Sequence, residues 1–70
     1  MLNVGKLKGK LVERGVTVAD ISKSLGIAPS TFYRKMNNNS FEICEADIIV
    51  DALMLSEKEA RDIFFTQYVA

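Results

Sequence analysis

The sequence predicts an all-α fold of five short helices in one domain, residues 1–70. Three observations predict it. Apolar residues recur at three- and four-residue spacing along nearly the whole chain, with no alternation long enough for a useful strand. Residues that start and stop helices interrupt that spacing at short intervals. Seventy residues suffice for one small core and not for two. No internal repeat or low-complexity stretch breaks the pattern.

The first helix carries Val4, Leu7 and Leu11 on one face, with Lys6 and Lys10 facing away. Gly5 and Gly9 each weaken it by about 1 kcal/mol relative to Ala, and Gly15 is suited to stop it. Thr17-Val18-Ala19-Asp20 can start a second helix: the Thr hydroxyl can accept from a free amide, and Asp20 sits at the positive helix end. Ile21 and Leu25 form its buried stripe, and Gly26 ends it. Pro29 opens a third helix, where its missing N–H had no partner to lose. Phe32 and Met36 share one face of it, and Asn37-Asn38-Asn39-Ser40 stops it. A fourth helix over about 43–53 has Ile43, Ala46, Ile49, Val50 and Leu53 as its inner stripe, with Phe41 packing back on Ala46 to staple its start. Ser56-Glu57-Lys58-Glu59 is a capping-box pattern opening a fifth, whose Ala60, Ile63 and Phe64 point inward.

Composition excludes several chemistries. There is no His, so serine and cysteine triads and His-ligated zinc are out. The lone Cys44 leaves no disulfide framework and no Cys-based metal site; it reads as an inert thiol. No cofactor is expected. Carboxylate pairs such as Glu57 and Glu59 sit at a helix start without a base partner, so an enzyme is not expected. No run of 18 apolar residues exists, and Met1-Leu2-Asn3-Val4 leads into charged residues unlike a signal peptide, so a cytoplasmic protein without membrane contact is expected.

The formal net charge is zero, yet residues 1–40 hold seven Lys and Arg against two acids, and residues 41–70 hold two against seven. Such a division hints at nucleic-acid contact through the basic half. Lys6, Lys8 and Lys10 read as a solvated face with some long-range steering.

Residues 17–36 carry the functional argument. Two short helices are joined by Gly26-Ile27-Ala28. The small Ser22 suits the crossing point, Gly26 permits the sharp turn, and Ile21, Leu25, Ile27 and Phe32 are apolar where the pair must lock. This is a helix-turn-helix arrangement, with a recognition helix at about 29–37 that enters the major groove amino end first. The stretch Leu-Gly-Ile-x-x-Ser-Thr-aromatic-x-Arg within it resembles the lambda-repressor-like (XRE-type) DNA-binding family. The five-helix plan extends the likeness over nearly the whole chain, and Thr-Phe-Tyr-Arg-Lys with the C-terminal Ile-Phe-Phe resembles small phage repressors. Three positions depart from that pattern. Val18 stands where the family often has a phosphate-binding Gln, leaving backbone amides near Thr17 to serve. Lys35 replaces a common apolar residue, so its stem can pack while its charge reaches a phosphate. Met36 stands where many members pair a Glu with an Arg on helix one; the matching position is Leu11, an apolar substitute.

Side-chain chemistry then assigns roles. Ser30, Tyr33 and Arg34 share the exposed side of helix three. Arg34 can bond guanine O6 and N7 together, a pair worth about 1–3 kcal/mol of discrimination; otherwise it is a solvated helix residue. Ser30 can donate to a base edge or a phosphate, and Ser30 and Thr31 can alternatively cap the helix. Tyr33 can stack on a sugar, touch a thymine methyl, reach a phosphate or pack. Ala28 and Pro29 stand at the helix start, where Pro29 offers apolar contact. Thr31 and the amides of Asn37, Asn38 and Asn39 resemble the family's backbone clamps, although the three Asn can equally be only a turn.

The acidic half should face away from a duplex. Ile48, Phe65, Tyr68 and Val69 are left over once the inner stripes are filled. They either form a dimer surface near helices four and five or close the monomer's own core. A core of this size usually supplies only about 3–5 kcal/mol, which favours a partner subunit. The expectation is a non-enzymatic, sequence-specific regulator of double-stranded DNA, of the phage repressor type, binding an operator as a homodimer without a small-molecule ligand. The alternative is an antitoxin-like or protein-interaction module using the C-terminal helical face.

Overall fold

The computed structural model describes residues 2–64. Five helices follow in order: α1 Val4–Glu13, α2 Val18–Leu25, α3 Pro29–Asn37, α4 Ile43–Leu53 and α5 Glu57–Phe64. The described residues contain no strand. The expected all-α helix-turn-helix architecture is therefore present, with α3 as the second helix of the pair.

Local chemistry sets each boundary. The Asn3 side chain accepts from the Lys6 amide at 3.0 Å and the Thr17 hydroxyl from the Asp20 amide at 3.1 Å, capping α1 and α2. At α5 the cap is reciprocal: the Glu59 amide donates to the Ser56 hydroxyl at 3.1 Å, and the Ser56 amide to the Glu59 carboxylate at 2.9 Å. No side-chain cap bond starts α3; Ala28 precedes it and Pro29 opens it. Ser30 and Thr31 thus lie inside the first turn, and the capping alternative for them does not hold.

Helices α1 to α4 stop in one way. The chain turns left-handed at Gly15, Gly26, Asn39 and Met54, with φ of 68, 72, 53 and 52°. Around each of these residues two amides fold back onto the helix's last carbonyls, as with Gly26 to Lys23 at 3.1 Å and Ile27 to Ser22 at 3.0 Å. Glycine adopts this conformation without a Cβ penalty and Asn tolerates it, whereas Met54 adopts it at a steric cost.

Helix α2 packs on α3 and α4, while α1 packs on α5. Leu7, Leu11, Ile21, Phe32, Met36, Ile49, Leu53 and Ile63 are buried in one cluster, each contributing roughly 1.5–3 kcal/mol by leaving water. Phe41 lies against it with its ring 5.3 Å from that of Phe32. Leu11 and Met36 both belong to this core, in keeping with an apolar pair between α1 and α3. Ser22 is buried at the α2–α3 crossing, and its hydroxyl has no partner. The N-terminal segment is pinned at two points: the Leu2 amide donates to Asn39 Oδ1 at 2.9 Å and the Asn3 amide to the Ile63 carbonyl at 2.6 Å.

Helix α4 corrects one expectation. Ile43 is 81% exposed instead of lying on the inner stripe, and Glu45 is buried in its stead. The buried row is Glu45, Ile49 and Leu53, flanked by half-buried Ala46 and Val50. The i, i+4, i+8 row wins because Glu45 finds polar partners inside, which removes the cost of burying a carboxylate. Phe65, Tyr68 and Val69 lie outside the described residues; Ile48, the fourth of that set, is 38% exposed.

Candidate nucleic-acid interface

The outer face of α3 follows from helical periodicity. Phe32 and Met36 are anchored in the core, so Pro29, Ser30, Tyr33, Arg34 and Asn37 are carried to the exposed side together. Thr31 and Lys35 lie on the flanks, half-buried. Tyr33 is 47% exposed, and its ring stands edge-on to that of Phe32 with centroids 6.3 Å apart. The core thus fixes the base of the Tyr33 ring while the rest remains accessible. A groove of about 560 Å³ runs between the end of α1, the start of α2 and α3. Lys8, Thr17, Val18 and Tyr33 line it, together with Leu11 and Met36. It brings the N-terminal amides of α2, which have no partner within their helix, next to a lysine and a phenol.

Electrostatics sort the basic half into two groups. Lys10 donates to Glu13 at 2.7 Å and also bonds Glu59 of α5. Arg14 lies 3.5 Å from Glu59, and Lys6 lies 4.0 Å from Asp62. The Lys10 ammonium, then the Ser56 amide, hold the Glu59 carboxyl down at about 2. The same ammonium lowers Glu13, and bonds to Glu13 and Glu59 raise Lys10. The acidic half therefore folds partly against the basic one. Among the described residues of the first forty, Lys8, Lys23 and Arg34 are the cations outside these ion pairs.

Lys35 has a partner inside the molecule. Its ammonium donates to both carboxylate oxygens of Glu45, each at 2.9 Å, which directs its charge to α4. The Asn cluster closes the helix. The Asn38 amide donates to the Arg34 carbonyl at 3.0 Å and that of Asn39 to the Met36 carbonyl at 3.4 Å. The Asn39 side chain receives the Leu2 amide, and all three Asn residues are exposed. Thr17 spends one lone pair on its cap, and its hydroxyl proton stays available.

Lys8 and Glu45 were not singled out by sequence reasoning. Lys8 was one of three similar lysines on one helix, and only the packing of α5 separates it from Lys6 and Lys10. Glu45 had a signal in its spacing from Glu42, the capping interval, and the Glu42 amide does donate to it at 2.9 Å. Among the described residues there is no group of potential metal ligands, and no helix is long and apolar enough to cross a membrane.

Residues 8–39 match the family model described as the helix-turn-helix domain of resolvase. The match begins in α1 and runs through α2, the turn, α3 and the left-handed Asn39. Comparison with curated proteins and with solved structures returns no significant match. The match is a likeness to a helix-turn-helix domain over part of the chain and does not extend to the lambda-repressor-like type. Five helices and a left-handed Gly26 between α2 and α3 make an all-α helix-turn-helix fold, and the segment 8–39 of it is similar to the helix-turn-helix domain of resolvase.

Proposed function

We propose that the chain is a non-enzymatic, sequence-specific regulator of double-stranded DNA, a repressor of the phage type that occupies an operator as a homodimer in the cytoplasm. The observation that carries this reading is the outer face of α3, where Ser30, Tyr33 and Arg34 are exposed together and Arg34 has no ion-pair partner among the described residues. In this reading Arg34 reads guanine, Ser30 bonds a base edge or phosphate, and Ala28, Pro29 and Tyr33 make apolar contact. Thr17, the first amides of α2, Lys8 across the groove, and the flanking Thr31, Asn37 and Asn38 hold phosphates and set the register. Asn39 braces that end of the helix.

The homodimer is supported by apolar residues on the outer side of α4, where Ile43 and Ile48 are exposed. Phe65, Tyr68 and Val69, which lie outside the described residues, are assigned to the dimer contact from their apolar character alone. A two-fold dimer places two recognition helices about 34 Å apart, one turn of duplex.

Selection of bound sites from random duplex tests the reading. The expected result is a palindromic site whose affinity falls steeply with salt, because each neutralised phosphate releases counterions. Absence of enrichment, or binding indifferent to salt, counts against it. The exposed Ile43 and Ile48 also favour a second reading, an antitoxin-like protein-interaction module; a hetero-complex that survives high salt would support that instead.

A further inference from the structure

Lys35 is the immediate neighbour of Arg34, yet it is the best-secured cation on α3. Its ammonium makes two 2.9 Å bonds to Glu45, and the two side chains are only 19% and 10% exposed. The same carboxylate accepts the Glu42 amide at 2.9 Å. At the other end of the residue, the Lys35 carbonyl accepts from the Ser40 amide at 2.9 Å and the Ser40 hydroxyl at 3.4 Å. The last turn of α3, the loop after it and the first turn of α4 are thus joined through one residue. The Glu45 carboxyl lies below its ordinary range, chiefly through the Glu42 amide and then through Lys35, so it stays ionised near neutrality.

We infer that Glu45 is a specificity-determining positioning residue, acting through Lys35: it withholds a cation from the duplex beside the base-reading Arg34 and fixes the end of the recognition helix on α4. The inference rests on the DNA-binding reading above. A lysine free at this position adds attraction to any phosphate, whatever the sequence, and so raises random binding in every register. An α3 released from α4 also holds Arg34 less firmly against its base. Both effects lower the ratio of specific to random affinity.

The experiment compares the full-length wild type with Glu45→Gln, Lys35→Met and the double variant. Each is titrated with the selected operator and with random duplex over a series of salt concentrations. Glu45→Gln is expected to bind random duplex more tightly, to lose several-fold in specific-to-random ratio, and to steepen the salt dependence by about one phosphate contact. Lys35→Met is expected to leave the salt slope at the wild-type value, and the double variant to return to it. A shallower slope in Lys35→Met overturns the inference, since Lys35 would then already touch a phosphate. An unchanged ratio and slope in Glu45→Gln, with only a lower melting temperature, overturns it as well. If Glu45→Gln does not fold, the slope of Lys35→Met decides alone. A wild type that prefers no duplex sinks the DNA reading and this inference together; a wild type that binds, with variants that match it, sinks this inference only.

Discussion

The α1–α5 flank and the outer face of α3 draw on the same residue types and use them oppositely. On the flank, Lys6, Lys10 and Arg14 meet Asp62, Glu13 and Glu59, and the charges hold two helices to each other. On the outer face of α3, Arg34 has no such partner among the described residues, and across the groove the same holds for Lys8. The division of charge between the two halves of the sequence therefore overstates the field available to a duplex. Part of it is cancelled within the molecule, and what remains is concentrated on few side chains.

Arg34→Ala probes the free face and carries the largest expected effect. It should cost about 1–3 kcal/mol of specific affinity and relax preference at one or two base pairs. Its melting temperature should match the wild type, because the side chain is exposed. An unchanged footprint on the selected operator would break the comparison at its centre.

Met54→Gly tests the stop of α4, away from both charged regions. A left-handed conformation costs a residue with a Cβ roughly 1–2 kcal/mol, so glycine should stabilise the fold by about 1 kcal/mol. Met54 is 82% exposed, so little packing is lost. Thermal unfolding measures the gain, and DNA affinity should not move.

Lys8→Gln is a smaller change that separates Lys8 from its paired neighbours. Affinity for operator and random duplex should weaken by the same factor, and the salt slope should drop by about one. Lys10→Gln, altering a paired lysine, should leave the slope as it was. Equal slopes for both variants would mean that the two lysines do not differ as the ion pairs imply.

These contrasts mark what could be read from the sequence. Helix stops at Gly15 and Gly26 were legible because only glycine takes a left-handed turn without cost. The stop at Met54 was not, because nothing local favours it; burial of Leu55 beside Val50 imposes it from outside. The exposed and buried sides of α3 were legible because Phe32 and Met36 fix the phase. In α4 the expected stripe 43-46-49-50-53 loses Ile43, and Glu45 joins Ile49 and Leu53 on the buried row through a partner ten positions away, Lys35. The fate of each lysine was illegible for the same reason: an ammonium's partner depends on tertiary contacts that periodicity does not encode.

The smallest expected effect is on acid stability, and it addresses the flank. Between the ordinary carboxylate value of 4.5 and about 2, folded Glu59 stays ionised while its unfolded counterpart takes up a proton. Lowering the pH through that window therefore favours the unfolded chain. The contribution of Glu59 is fully present above the window and is lost as pH falls through it; Glu13 and Glu45, also lowered, act in the same direction. Lys10 works at the other end: its stabilisation holds below its ordinary 10.5 and is lost as pH rises through the raised value. Melting temperature followed from neutral pH into that acid window should fall for the wild type, and fall less for Glu59→Gln, which has no proton to gain. Because the Lys10–Glu59 pair is partly solvated, added salt should shrink the difference between the two curves. Parallel curves at low salt would show that the flank is held by Leu7, Leu11 and Ile63 alone, with its ion pairs as bystanders.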